Sequence, residues 1–408
     1  MSRKPLRAGL DAELVLMPLK GATERVVALF KRTYAIDQGR CVRAAAQPLL
    51  HDWRAPTKDE RPLLGGSDFW LEKGATDVVV QGSAHAAAPV RELVAGMAIG
   101  RLSRQVQVWG ERAIVWRQGR PRFGEPKPFS DMPLRWDLAY GGIDWRVAVP
   151  GLAGMSAEER HQAALRTTFD HPGMYPRNPF GRGYLVEPAA VEGLFAPNLE
   201  DPADPLTEDR LVVGEARQWW RQPLPAGLDW TSPVSFPRLL WFGRDSDPWF
   251  PAPDGPELPE VARGLLPARF LAGRCHDGGI DQRFYQGAVP GLTITRPPTG
   301  LPISFTNLHP KHPRVETVLP PTAAEVTFVI EGKQTKREAR LHHIICQPGQ
   351  LSLSLVFAAE TDLLRPFIPG VHKHIPISAQ LDGEEAVPFM APVPLREQLA
   401  AAMSRKAP

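Results

Sequence analysis

Cysteine and long hydrophobic runs are both scarce in this chain. Only 3 cysteines occur among 408 residues, and they lie far apart with no C-x-x-C pair, which argues against a disulfide framework or a structural zinc site. No stretch reaches the roughly 20 apolar residues of a transmembrane helix. The basic segment Met1–Pro5 is not followed by the apolar core of a signal peptide. We therefore expect a cytoplasmic protein without a membrane partner.

An excess of either charge is lacking as well. The chain has 48 Lys and Arg residues against 45 Asp and Glu residues, for a net charge of +3. Nucleic-acid-binding domains gather their basic residues into a patch or stripe, whereas the most basic stretches here, residues 333–340 and 309–314, are short. We interpret both as solvated turns and expect no nucleic-acid partner.

The familiar catalytic and cofactor-binding motifs are absent. The sequence contains no G-x-S-x-G, H-E-x-x-H, P-loop or G-x-G-x-x-G pattern. His372 and His374 could share one face of a strand, but no further ligand lies at a matching spacing. The adjacent His342 and His343 should point to opposite faces of a strand. Asp281 ends the run HDGGID, which favours a turn over an acid–base pair of carboxylates. We predict no catalytic residue, no metal site and no cofactor.

Proline and glycine are abundant instead. With 44 and 35 residues, they make up about a fifth of the chain, against an average share of roughly 12%. Proline removes a backbone donor and breaks helix interiors, so the chain cannot be mostly helical. The fold class predicted is mainly β (a β-rich α+β protein), with antiparallel sheets in a sandwich or barrel-like arrangement, long Pro/Gly-rich loops and few short helices.

The N-terminal region, residues 1–145, is predicted to be antiparallel β. Residues 26–34 and 77–81 are rich in β-branched and aromatic side chains. Residues 91–118 read as a meander with Gly-containing turns, and within residues 105–109 Val alternates with Gln, the period of a half-buried strand.

The middle segment, residues 146–300, is rich in Pro, Trp, Gly and Arg. A capping box at Ser156 predicts one short helix over residues 157–166. Five tryptophans either cover a core or form an aromatic interaction surface; they are Trp219, Trp220, Trp230, Trp241 and Trp249.

The C-terminal region, residues 301–408, is again predicted to be β. It contains three strand-like runs and a final helical pattern, at residues 324–331, 340–346, 351–357 and 395–405.

The densest group of polar and glycine residues is YPRNPFGRGY, Tyr175–Tyr184. It contains Arg177, Asn178, Pro179, Gly181, Arg182 and Gly183. Positive φ at the glycines would fold the loop tightly, and two Arg side chains could then hold a carboxylate or phosphate. The alternative is that they pair with internal acids such as Glu200 and Asp201. In that case replacing Arg182 by Ala would leave buried carboxylates unpaired and destabilise the fold.

A series of sequence blocks carries a resemblance to a known family. In order they are TDVVVQGSAH, MPLRWDLAYGG, YPRNPFGRGY, APNLEDP and DQRFYQGAVPGL, spanning residues 76–292. The series resembles the bacterial domain of unknown function 2169 family, although Gly291 stands where many members have Asp. The family-motif residues that could form an interface are Arg177, Asn178, Pro179, Gly181, Arg182, Gly183, Asn198, Glu200, Asp201, Asp281 and Phe284.

The resemblance implies a function. Genes of this family commonly lie beside type VI secretion components, and members are thought to hold a toxic effector and load it onto the spike protein. The chain is therefore expected to be a non-enzymatic adaptor or chaperone whose partners are a secreted effector and the type VI spike protein. The alternative is a small-ligand-binding protein or a hydrolase-like enzyme centred on the Arg177–Arg182 loop.

Overall fold

The structure is a computed structural model that describes residues 10–18, 24–50, 66–69, 73–148, 173–188, 193–231, 285–363 and 375–390. These residues form 21 strands, numbered β1 to β21 in chain order, in two larger sheets and three two-stranded ribbons. The predicted mainly β fold is thereby confirmed. Within the described residues, no helix is long and apolar enough to cross a membrane.

The large sheet has ten strands and is curled like half of a barrel. Its strands are β1 (Leu10–Pro18), β2 (Glu24–Asp37), β3 (Arg40–Arg43), β4 (Thr76–Val80), β14 (Thr293–Ile294), β17 (Ala324–Ile330), β18 (Lys333–Gln347), β19 (Ser352–Asp362), β20 (Pro376–Leu381) and β21 (Val387–Met390). The main path runs β1-β2-β19-β18-β17-β20-β21, with β3 beside β2 and β4 between β18 and β14.

Strands from the two ends of the chain are neighbours in the large sheet. β2 pairs antiparallel with β19 along the whole length of β19. The side chains that these strands supply are mostly β-branched or aromatic and are buried, as strands covered on both faces require. The N-terminal and C-terminal β regions therefore share one sheet, whereas the boundaries at residues 145/146 and 300/301 stay predictions.

The second sheet has five strands in the order β13-β7-β6-β15-β16. They are β6 (Glu92–Ile99), β7 (Leu102–Trp109), β13 (Leu199–Glu200), β15 (Pro302–Thr306) and β16 (Arg314–Val318). The ribbons pair β5 (Ser83–Val90) with β10 (Phe129–Pro133), β8 (Ile114–Arg117) with β9 (Arg120–Phe123), and β11 (Tyr140–Gly141) with β12 (Arg182–Gly183).

Helices in the described residues are single turns or little more. They are the α-helical turn Trp145–Ala148 and the 3-10 helices Trp136–Leu138, Glu208–Arg210, Ala216–Arg221 and Pro348–Gln350. The helices predicted over residues 157–166 and 395–405 lie outside the described residues.

The predicted meander over residues 91–118 is only partly correct. β6 and β7 form a hairpin, but β8 pairs with β9 and not with β7. The separating residue is Gly110, where an added Cβ would lie 1.8 Å from the carbonyl oxygen of Lys127. The chain leaves the sheet here because another backbone segment packs against it.

β18 changes its neighbour part-way along one edge. Residues 333–339 pair antiparallel with β17, whereas residues 343–346 pair in parallel with β4. Between them lies the exchange point, residues 340–342, where neither strand pairs with β18 on that side. A β-bulge falls at the same place in the pairing with β19, so the two neighbouring strands diverge.

One main core joins both sheets. Its buried side chains include Phe30 of β2 and Phe357 of β19, which are directly opposite in register. Their rings stack with centroids 5.0 Å apart and planes inclined by 11°. This ring contact lies within the β2–β19 pairing, which joins the N-terminal and C-terminal β regions.

We predict that Phe357→Ala lowers the free energy of unfolding by about 3–5 kcal/mol, because it leaves a cavity beside Phe30. Phe357→Leu, the matched control, should cost only about 1 kcal/mol, because it retains most of the volume and loses the ring pair. Urea titrations followed by tryptophan fluorescence measure both. Equal losses for the two variants would contradict the role given to this stack.

Candidate functional site

The loop of Arg177 and Arg182 is attached to two other family blocks by backbone bonds. β11 and β12 pair in parallel, with Tyr140 opposite Arg182 and Gly141 opposite Gly183. A single bridge then joins Ala139 to Leu199. The blocks MPLRWDLAYGG, YPRNPFGRGY and APNLEDP are therefore neighbours in space, although about 60 residues separate the first from the last.

Two glycines of the loop are required for different reasons. Gly183 adopts φ +94°, the positive φ predicted for it. Gly181 does not, and is needed instead for a close approach: an added Cβ would lie 2.6 Å from the carbonyl oxygen of Ala139. The positive φ that both glycines would allow is therefore found at Gly183 and not at Gly181.

Asn178 fastens this loop to its neighbours. It is fully buried, and its Nδ2 donates hydrogen bonds to the carbonyl oxygens of Trp136 (2.8 Å) and Tyr140 (3.1 Å). Its backbone carbonyl oxygen accepts one from Gly142 N–H at 2.8 Å. Pro179 is buried beside it. Asn178 thus replaces missing sheet partners for backbone groups that would otherwise be buried without hydrogen bonds.

Arg177 lies against a cluster of aromatic rings. Its guanidinium sits 5.1 Å from the centroid of the Trp219 ring, a cation–π distance. Tyr175 contacts Tyr140 and Tyr184 with centroids 5.2 and 5.3 Å apart. Burial raises the pKa of all three tyrosine hydroxyls, so they stay protonated. The hydroxyl of Tyr175 donates to the carbonyl oxygen of Pro223 at 2.8 Å.

Arg182 points to a different partner. Its Nη1 donates a hydrogen bond of 2.9 Å to Oδ1 of Asn198. Asn198 is buried and in turn donates from Nδ2 to the carbonyl oxygen of Trp109, at 3.0 Å. Arg182 therefore links the loop to the end of β7 by way of Asn198.

The two internal acids are paired with arginines outside the loop. Glu200 is buried against Arg112, and Asp201 is half-buried 3.1 Å from Arg104. The expectation that the loop arginines would neutralise these acids is therefore corrected. Glu200 lies in β13, which pairs with β7, and Asp201 comes directly after it. Their neighbours are therefore the arginines of residues 104–112, which no sequence spacing indicated.

Arg112 is the most fully engaged of these arginines. Its guanidinium lies 4.4 Å from the Trp109 ring centroid and 4.8 Å from that of Phe123. Its Nη2 also donates to the carbonyl oxygen of Pro197 at 3.0 Å. Burial raises the pKa of the Glu200 carboxyl, and the charge of Arg112 opposes that shift. The pair is thus a buried structural contact.

Several predicted site residues lie outside the described residues: Asp281, Phe284, His372, His374, Trp241 and Trp249. Trp219 and Trp230 are buried, which confirms for these two that the rings cover a core.

Among the described residues, no group of three or more His, Cys, Asp and Glu side chains could hold a metal ion. Cys41 and Cys346 are free thiols.

A second cluster of buried polar side chains contains residues of β2 and β4. Lys31 pairs with Asp68 at 2.9 Å, and Lys73 pairs with Asp77, all four side chains being buried. The carboxylate of Asp77 also accepts a hydrogen bond from Gly287 N–H at 2.7 Å. This joins the first family block to the last, and the one signal for it in the sequence is an Asp within the strand TDVVV.

The adjacent histidines differ from prediction. His342 and His343 are both buried, and their rings stack with centroids 6.2 Å apart. The prediction that they point to opposite faces is wrong because the β-bulge after Leu341 interrupts the alternation. The ring of His343 also packs 4.9 Å from that of Trp230.

The carboxyl of Asp229 has a strongly raised pKa. Burial raises it to about 7, against hydrogen bonds from Trp230 N–H and Gln81 that lower it. Nearby, Asp137 forms a two-bond pair with Arg135, at 2.9 and 3.0 Å. A carboxyl of this kind exchanges its proton near neutral pH, and the sequence GLDW gave no indication of it.

One comparison with known families gave a match. A family model described as "Uncharacterized protein conserved in bacteria (DUF2169)" matches residues 21–358. The chain belongs to the DUF2169 family. The match includes all five blocks and every strand from β2 to β18. The family's shared segment therefore contains the whole five-stranded sheet and the central strands of the large sheet, but not β1, β20 or β21. No curated protein and no solved structure matches the chain.

We predict that Arg112→Ala lowers the free energy of unfolding by about 3–5 kcal/mol, because the Glu200 carboxylate stays buried without its partner. The control is Arg104→Ala, whose pair with Asp201 is only partly buried and should contribute about 1 kcal/mol. Chemical denaturation measures both. Adding Glu200→Gln to Arg112→Ala should recover part of the loss, and no recovery would contradict this electrostatic cause.

We predict that Asp229→Asn flattens the pH dependence of stability. The folded carboxyl keeps its proton up to about pH 7, whereas the ordinary value is 3.8. The unfolded chain therefore binds fewer protons between these values, and the native protein loses stability as pH rises through them. Melting temperatures of the variant and the parent should agree near pH 4 and diverge in favour of the variant up to pH 7.5. The exposed Asp37→Asn is the control, and a difference independent of pH would contradict the assignment.

Proposed function

We propose that this protein is a cytoplasmic, non-enzymatic adaptor or chaperone that binds a type VI secretion effector and helps load it onto the spike protein. Membership of the DUF2169 family supports the proposal through the role that the sequence resemblance implies. The partners proposed are the effector and the spike protein, without nucleic acid, membrane or cofactor.

Support from the geometry comes from where the family-motif side chains lie. Asn178, Asn198 and Glu200 are buried and hydrogen-bonded to backbone groups or to arginine. A site for a small ligand needs a few polar groups that converge on a concave pocket. These three side chains instead bond to other parts of the chain. This favours a scaffold that holds irregular segments in place over a ligand site at the Arg177–Arg182 loop.

Such a scaffold suits an adaptor for a physical reason. Long Pro/Gly-rich segments lack the ladder of backbone bonds that orders a sheet, and loops of this length in compact proteins are often functional. Buried Asn and Arg side chains hold these segments in one conformation before a partner arrives. A pre-ordered surface loses less conformational entropy on binding and so binds more tightly.

The test is co-expression with effector candidates encoded beside type VI secretion genes, followed by size-exclusion chromatography. We expect one candidate to be insoluble or degraded when expressed alone and to co-elute with this protein. The control is a secreted toxin of similar size from an unrelated secretion system, which should not co-elute. Separate elution of stable proteins at micromolar concentration and low salt would contradict the adaptor function.

A further inference from the structure

The loop between β15 and β16, residues 307–313, is held at its tip by one side chain. The Nδ1 atom of His309 accepts hydrogen bonds from the backbone N–H groups of Lys311 and His312, each at 3.0 Å. These bonds fix residues 309–312, which we call the loop tip, in a turn. His309 is buried, whereas the three residues that follow it are exposed. The conformation of an exposed segment therefore depends on one imidazole nitrogen.

The stem of the loop is fixed by other bonds. The backbone N–H of Asn307 donates to the carbonyl oxygen of Pro313 at 2.8 Å, and its Nδ2 donates to that of Val94 in β6 at 2.9 Å. The carbonyl oxygen of Asn307 accepts a hydrogen bond from the backbone N–H of His85 in β5, at 2.8 Å. None of these bonds uses an imidazole nitrogen, so they do not depend on the charge of His309.

The two bonds at the loop tip require a neutral His309. A neutral imidazole has one nitrogen that accepts hydrogen bonds and one that donates. Because Nδ1 is the acceptor here, the proton of the neutral ring lies on Nε2. A protonated imidazole donates from both nitrogens and accepts no hydrogen bond. Uptake of a proton by Nδ1 would place an N–H group against two backbone N–H groups and break both bonds.

Groups that carry or can take up positive charge lie around the His309 ring. The ring of His312 stacks on it with centroids 4.6 Å apart. Lys311 lies in the same loop, and His85 approaches from β5. The acid in this group is Asp131 of β10, which lies 3.1 Å from His85. Burial and the neighbouring positive charges hold the pKa of the His309 imidazole below its usual value of 6.5.

The other elements that contact the loop add no charge. A Cβ added at Gly349 would lie 3.7 Å from the carbonyl oxygen of Leu308 and 3.9 Å from Nε2 of His85. Gly349 belongs to the 3-10 helix Pro348–Gln350, which has no titratable side chain. Val94, the residue of β6 that is bonded to the loop, is not titratable either.

We propose that His309 is a proton-sensitive switch, which holds the loop tip in place when it is neutral and releases the tip on acidification. Release moves exposed residues and adds a positive charge among them. The surface around the loop tip therefore differs between neutral and mildly acidic solution. This inference goes beyond the proposed adaptor function and does not depend on it.

The direction of the pH effect follows from the two states of the loop. The imidazole of an open or unfolded chain takes up its proton near pH 6.5, above the pKa of His309 in the closed loop. The contribution of the two bonds to stability is therefore complete above pH 6.5. It is lost as the pH falls through the pKa of the closed loop.

Hydrogen exchange of the Lys311 and His312 amides measures this release. Mass spectrometry of peptides covering residues 307–313 gives exchange rates, which are corrected for intrinsic exchange at each pH. In the full chain, protection at the loop tip should fall about tenfold between pH 7.5 and 5.5, while β15 and β16 keep theirs. Unchanged protection at the tip would overturn the proposal. Equal loss in β15 and β16 would do the same, because it would show general unfolding.

His309→Asn is the variant that isolates the switch. The side-chain oxygen of Asn can accept the same two backbone hydrogen bonds and does not titrate. The loop tip of this variant should be protected at both pH values. His309→Ala offers no acceptor, so its tip should be unprotected at both. If the tip of His309→Asn opens on acidification as the parent does, His309 is not the switch.

The matched control is His312→Asn, which removes the other ring of the stacked pair and keeps the acceptor at His309. The pKa of His309 should rise in this variant, because a neighbouring positive charge has been removed. Its loop tip should therefore still open on acidification, and at a higher pH than in the parent. A loss of pH dependence as complete as in His309→Asn would contradict the assignment to Nδ1 of His309.

Discussion

The antiparallel pairing of β2 with β19 is the contact on which the rest of the structure depends. It brings together strands that are more than 300 residues apart in sequence, and β18 and β4 then add to the same sheet. Closing so long a loop costs conformational entropy that only non-local contacts can offset. Burial of both faces of these strands, with the stacked rings of Phe30 and Phe357 between them, supplies that compensation through apolar contact.

In the segment between β2 and β19, side chains hold the stretches that strand pairing does not reach. Asn178 and Asn198 bond to backbone groups where the sheets do not reach, and Arg112 holds Glu200 among aromatic rings. Buried charges of this kind are costly to desolvate and are weak sources of stability, so we infer that they serve to select one conformation. The family blocks thus describe how irregular chain is held in place.

β18 belongs to the large sheet and also contains the point at which one edge of that sheet changes its neighbouring strand. Along one part it completes the large sheet, and at residues 340–342 it loses its neighbour on one side. A bulge in the pairing with β19 lies at the same residues, where His342 and His343 are buried. A cleft of about 890 Å³ lies at this point of the large sheet.

The sequence by itself determined the fold class, the positions of most long strands and the family, because these follow from local composition, period-2 alternation and the order of motifs. Strands predicted at residues 26–34, 77–81, 324–331 and 351–357 coincide closely with β2, β4, β17 and β19. It did not determine which distant residues of the chain contact one another. That Glu200 meets Arg112 rather than Arg182, that β8 leaves β7, and that Asp77 receives Gly287 are decided by contacts between distant segments. Such contacts depend on how the sheets close and which backbone crowds a given glycine, and no local pattern encodes either.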